Sequence, residues 1–327
     1  KAVFRSGYNP VDNYLLFGGM NSTDPHSHRD ANTILQYSRG PYHWLTDVSY
    51  FRKSADEHNG ITISCDNRVT DQRRKYKLQR HSFAEIEAQF NSPDKSMAIL
   101  STSLNDYADA SWQRTLFWHK KLGFWCVDKI TADKTADYVI KRRWRLLGNI
   151  TRKNNIFTIS QKASANVNIP NKLNIIRGDN AFTRVKNQII VSHNHNGTAY
   201  KDYKYAGPLV QMLIENTDTK LKKGQSIYLT DKFTHSAPVN IKRLGQTAWI
   251  TPGQLVAAGS FNSDKLQFNG SYLFITDGQI MAAEASSLII DGIKISVPKQ
   301  GELFISAPAG TGQILENLFK HLPEITS

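Results

Sequence analysis

The chain has 327 residues, 40% of them hydrophobic, with 41 Lys and Arg against 28 Asp and Glu, a formal net charge of +13. This length and apolar content exclude a disordered chain and fit one large or two ordinary folded domains, and no apolar run is long enough to cross a bilayer. The positive balance favours polyanionic partners, whether acidic polysaccharide, nucleic acid or an acidic membrane surface, while each basic cluster taken singly reads as solvated surface.

The chain opens on a strand-like Ala2-Val3-Phe4 with no visible signal peptide, which is also how a secreted protein looks once its signal has been removed. Next comes Asp24-Pro25-His26-Ser27-His28-Arg29-Asp30. If this stretch is extended, His26, His28 and Asp30 share one face, because side chains alternate along a strand. The run Asn32 to Tyr37 continues as a strand to the turn signal Arg39-Gly40-Pro41. Tyr42 to Val48 can return antiparallel, carrying Asp47 back toward the histidines. His58 enters after Ser54-Ala55-Asp56. Zinc is held by His nitrogen and carboxylate oxygen in a shell of about four ligands. The expected set is His28, Asp47 and His58, with the fourth place open to water or another group. The plainer alternative is a group of hydrogen-bonded surface histidines. Tyr50 and Arg52 lie between Asp47 and His58 and are candidates for the same cleft, against a plainer reading as a strand aromatic and a surface arginine.

His43, His81, His119, His235 and His321 stand apart and read as ordinary polar residues. His193-Asn194-His195-Asn196-Gly197 ends in a hairpin dipeptide and reads first as a polar turn and second as a substrate loop. Cys65 and Cys126 can form one bridge or none, and Cys126, inside the apolar run Phe124 to Val127, reads as a buried thiol. Further strands are expected at 61–63, 97–100, 138–140, 156–159, 188–191, 209–214, 272–275, 288–290 and 303–305, with hairpin turns at Asn269-Gly270 and Asp291-Gly292. Basic clusters fall at Arg73-Arg74-Lys75, His119-Lys120-Lys121, Lys141-Arg142-Arg143 and 220–223. The pattern predicts an all-β chain: a large antiparallel two-sheet β-sandwich with a short C-terminal helix over Gly312 to His321, where Ile314, Leu315, Leu318 and Phe319 share helical spacing. Residues 217–224 are a possible boundary. It would divide a 1–220 sandwich core from 221–327, which holds either the remaining strands or a small terminal β domain. No Gly-rich phosphate loop, Gly-x-Ser-x-Gly elbow or Cys-x-x-Cys pair occurs.

The segment from Ala2-Val3-Phe4-Arg5-Ser6-Gly7 through His26-Ser27-His28-Arg29-Asp30 and Leu45-Thr46-Asp47 to Glu57-His58-Asn59-Gly60-Ile61 resembles the start of the C-terminal β domain of heparinase II/III-like polysaccharide lyases. Trp112 to Phe117 and Val127-Asp128-Lys129-Ile130 resemble a later strand pair of that family. The specific likeness covers about the first 60 residues. Glu57 and Asp24-Pro25 depart from the family pattern. The resemblance implies a β-elimination activity on an acidic, uronic-acid-containing polysaccharide of heparan sulfate, hyaluronan, alginate or ulvan type. It implies a secreted or periplasmic location and a helical toroid domain, in cis or trans, that residues 1–327 do not contain. It places His28, Asp47 and His58 at the positions of a mainly structural zinc site and His26 at that of an active-site histidine. The rival expectation is a non-catalytic module that binds or scaffolds polyanionic carbohydrate. Nucleic-acid binding is not expected, since no motif accompanies the dispersed charge.

Overall fold

The computed structural model describes residues 1–19, 31–47, 55–66, 68–69, 84–165, 168–178, 182–188, 210–276, 278–299 and 301–322, with backbone alone at 57, 68–69 and 182–188. They form three antiparallel sheets and one C-terminal helix, the all-β class expected.

In the first sheet the strands run Ala2–Arg5, Asn13–Gly18, Thr33–Arg39, Tyr42–Thr46, Ala136–Leu147, Val210–Leu221 and Phe182–Gln188, with Ile61–Cys65 also paired to Ala136–Leu147. The second sheet runs Asn149–Lys153, Ile156–Ser160, Lys172–Arg177, Ser226–Thr234, Gly123–Ala132, Ala110–His119, Met97–Leu104 and Glu85–Asn91. The third is built wholly from later chain, on a path Lys242–Leu244, Ala248–Thr251, Gln254–Ala258, Leu266–Thr276, Gln279–Ile290 and Ile293–Ile295.

The second sheet is the middle layer, and its sequence shows why. In Gly123–Ala132, Phe124, Cys126 and Ile130 pack toward the first sheet. Trp125 and Val127 pack the other way, with Trp249, Val256, Phe274 and Met281 of the third sheet. A strand buried on both faces reads as a continuous apolar run rather than an alternating one. The third sheet's far face, with Leu273, Ile275, Ile280 and Leu288, is closed by Leu315 of the helix Thr311–His321. Lys242 Nζ donates to Leu322 O at 2.6 Å. It thereby places a cation at the helix C-terminus, where the macrodipole favours one.

The hairpin expected around Arg39-Gly40-Pro41 is present, with Gln36 opposite Thr46 and Tyr37 opposite Leu45. Its turn uses Gly40 at φ +56°. Asp291 and Gly292, at φ +49° and +79°, make a tight turn with both central residues left-handed, as that dipeptide predicts. Asn269-Gly270 is not a turn. It lies inside Leu266–Thr276 at a bulge, with Asn269 opposite Ser287 and Gly270 opposite Ala285. A side chain at Gly270 would meet the Ala285 backbone at 2.8 Å and the Phe268 ring at 2.6 Å, so glycine here serves close approach. Both cysteines are free and buried. Of the strand expected at 188–191 only Gln188 is described, and 193–197 lies outside the described residues.

Candidate functional site

The hairpin delivers Asp47 immediately after the strand Tyr42–Thr46, and a single 3-10 turn, Ala55–Glu57, delivers His58. His58 Nδ1 lies 2.6 Å from Asp47 Oδ1. The His58 side chain is 1% exposed and that of Asp47 19%. An ionised carboxylate only accepts, so Nδ1 carries the proton and Asp47 fixes both the tautomer and the ring plane.

Behind the pair sits Asn59, fully buried. Its Nδ2 donates to Ile34 O at 2.8 Å and to Thr46 O at 3.1 Å. Its Oδ1 accepts from Arg145 N at 2.6 Å. Gly60 follows and accepts from Arg143 N at 2.9 Å. A Cβ on Gly60 would stand 2.8 Å from Thr33 Cγ2, so the segment runs close against the neighbouring strand.

Deeper still, a band of charge crosses the core between the first two sheets. Arg114 Nε and Nη2 donate to the two oxygens of Asp128 at 2.7 and 3.0 Å. Arg114 Nη1 donates to Asn59 O at 2.8 Å and Asn32 O at 3.2 Å. Arg142 reaches Glu215 at 2.5 Å, Asp231 at 3.0 Å and Asp128 at 3.5 Å, and Arg177 reaches Glu215 at 3.4 Å. Trp112 Nε1 donates to Asp128 at 2.8 Å and Trp144 Nε1 to Asp231 at 2.6 Å. Three guanidiniums face three carboxylates, which is how ionic groups persist in an interior. Cys126 borders the band, and burial holds its thiol well above the usual range, leaving it inert.

The band corrects the surface reading of Lys141-Arg142-Arg143: Arg142 is 0% exposed and Arg143 7%. The signal was strand parity. Arg114, Asp128, Arg142 and Asp231 each occupy the alternate position that their strand's apolar neighbours Leu116, Ile130, Trp144 and Phe233 assign to the core.

Of the expected site residues, the structure brings Asp47 and His58 together. His26 and His28, and likewise Tyr50 and Arg52, lie outside the described residues. An imidazole beside a carboxylate has the donor chemistry zinc takes. Among the described residues no group of three His, Cys, Asp or Glu could hold a metal, and the third residue of the expected set, His28, lies outside the described residues. Two other described histidines, His119 and His235, serve the scaffold. His119 Nδ1 accepts from Lys121 N and Leu122 N at 3.1 and 3.2 Å. His235 Nδ1 donates to Lys172 O at 2.8 Å, so its Nε2 accepts from Tyr37 Oη at 3.0 Å. A 480 Å³ cavity opens elsewhere, lined by Phe4, Phe17, Ile86, Ile99 and Leu100 among others, and includes neither Asp47 nor His58.

No family model matches the sequence, and no curated protein matches it. Solved structures share the fold. A heparan sulfate lyase from Pedobacter heparinus superposes with a TM-score of 0.54 at 14% identity, over 94% of this chain and 41% of that one. A heparinase III gives 0.52 at 12% identity, over 93% and 41%. Another heparinase III structure gives 0.50 at 12% identity, again over 93% and 41%. The chain thus spans about two-fifths of the length of these structures. At such identity the likeness establishes a shared β architecture and no more.

Proposed function

We propose that this chain is the β domain of a polysaccharide lyase that cleaves an acidic, uronic-acid-containing polysaccharide by β-elimination, working with a helical toroid domain supplied in cis or trans. The observation that supports it is the pairing of buried His58 with half-buried Asp47, held in an architecture shared with a heparan sulfate lyase over 94% of this chain. Elimination needs charge stabilisation at the uronate carboxylate, a base for the C5 proton and an acid for the departing O4. Preplaced donors and a well-held histidine meet such needs. His26 is assigned as base or charge stabiliser, and Tyr50 and Arg52 as substrate contacts. His28, Asp47 and His58 are assigned to a zinc ion. When bound, that ion supplies a cross-link between three separated segments of chain. A secreted or periplasmic location accompanies the reading. No helix among the described residues is long and apolar enough to cross a membrane.

The alternative is a module that binds polyanionic carbohydrate without turnover. The intact protein is mixed with heparan sulfate, hyaluronan, alginate and ulvan in turn, and ultraviolet absorbance is followed. Growth of the unsaturated-uronate band on one of them is expected. Retention of an acidic glycan with no absorbance change supports the binding module and sinks the lyase.

A further inference from the structure

We propose that Asn59 is the positioning residue of the His58–Asp47 pair, and that Arg114 holds Asn59 from inside the sandwich. The proposal rests on the functional reading of that pair, and its geometry can be tested separately.

The argument begins with chain order. Thr46 immediately precedes Asp47, and Asn59 immediately follows His58. The Asn59 amide donates to Thr46 O, so one side chain bonds directly across the base of the pair. The same amide group donates to Ile34 O and accepts from Arg145 N. Both amide protons and the amide oxygen are therefore committed to the strands Thr33–Arg39, Tyr42–Thr46 and Ala136–Leu147. No other side chain of this size offers two donors and an acceptor. Aspartate would set a carboxylate against two carbonyl oxygens. Serine would lose the span.

Arg114 anchors the other end. Its Nη1 donates to the carbonyls of Asn59 and Asn32, while Nε and Nη2 grip Asp128. Its guanidinium lies 4.9 Å from the Trp112 ring centroid and 5.1 Å from that of Trp144. Arg114 is 0% exposed, which removes it as a substrate contact. A lysine has one point charge and cannot serve the carboxylate and both carbonyls with a planar fork. Force thus passes from Asp128 through Arg114 to the Asn59 backbone, and through the Asn59 amide to the residue next to Asp47.

The test uses protein with 15N-labelled histidine. Long-range 1H–15N correlation reads the His58 tautomer and its Nδ1–H resonance, and calorimetry reads zinc affinity. Wild type stripped of metal with chelator is expected to show one Nδ1–H tautomer with a far-downfield, slowly exchanging proton, which is lost when zinc is returned and takes both side chains. Asn59→Ser should give mixed tautomers and lose that proton signal well below its melting temperature. Zinc affinity should fall about 10- to 100-fold, the scale seen when a supporting hydrogen bond to a ligand is removed. Leu315→Ala, which loosens only the helix against the third sheet, should lower melting temperature and leave both readouts unchanged. Should Asn59→Ser not fold, Arg114→Lys is read in the same way. A variant that melts earlier but keeps the wild-type His58 signal overturns the proposal and makes Asn59 a structural tie alone. A His58 signal that moves as expected in a protein that binds no zinc and cleaves no polysaccharide leaves the positioning intact and removes the functional reading.

Discussion

Arg142 in the first sheet and Asp231 in the second meet across the core at 3.0 Å, both side chains fully buried. The contact belongs to the charge band that separates two apolar clusters, one around Trp118, Phe124 and Trp144, the other around Ile63, Trp112 and Tyr138. Burying a charge is tolerable only with its partners in place. Asp128→Leu should therefore cost about 3–5 kcal/mol in urea unfolding, because Arg114 and Arg142 lose a counter-charge. The double change Arg114→Met with Asp128→Leu should cost clearly less than the two single costs added together. Additive losses would mean that the two side chains do not act as a unit.

Lys232 sits between the second and third sheets, 3.2 Å from Thr251 Oγ1 and 5.2 Å from the Trp125 ring centroid. Desolvation lowers its pKa from 10.5 to about 8. Above pH 8 the folded protein releases this proton while the unfolded chain keeps it, so stability rises from pH 8 to 10.5. Lys232→Met should stabilise the protein at pH 7 by about 1–3 kcal/mol, with the advantage gone by pH 10.5. A gain independent of pH would point to packing instead of charge.

His235 behaves in the same sense at acid pH. Burial, the largest influence, depresses its pKa from 6.5 to about 4. The neutral ring accepts from Tyr37 and donates to Lys172, tying the strand Thr33–Arg39 to the segment after Ser226–Thr234. Its contribution is complete above pH 6.5 and is lost as pH falls toward 4, on the order of 2 kcal/mol for this half-buried group. His235→Asn should flatten that part of the stability profile. An unchanged slope would assign acid sensitivity to other groups.

Metal removal should reveal the cross-link. Protein purified without chelator is expected to carry zinc, and chelation or His58→Ala should lower its melting temperature. Elemental analysis that finds no more than a trace of zinc, manganese or calcium would leave His58 and Asp47 a hydrogen-bonded pair only.

The hairpin that places Asp47 was legible because Arg39-Gly40-Pro41 is local turn chemistry, and the helix because Leu315 and its neighbours keep a helical period. The Asn59 knot was not legible, since its partners Ile34 and Arg145 lie 25 and 86 residues away and meet it only through sheet pairing. Arg142 looked like surface in a basic run, and only the inward parity of Trp144 and Ile140 marks it as core. Asn269-Gly270 misled because close approach to Ala285 and a hairpin turn both call for glycine. Two sheets were expected in the sandwich where three layers stand, because Trp125 and Phe124 point to opposite apolar layers, so the sequence of a middle sheet carries no alternation to count.

The central claim is elimination, and solvent oxygen tests it most directly. The intact protein is incubated with the acidic polysaccharide it retains best, in water enriched in oxygen-18, and the products are weighed by mass spectrometry. Elimination breaks the bond at O4 without adding water. The account therefore predicts new non-reducing ends one water lighter than those of hydrolysis, and new reducing ends that, read before their anomeric oxygen exchanges with solvent, are free of the heavy isotope. Fragments that carry one heavy oxygen, or a polysaccharide bound but uncut, would contradict it.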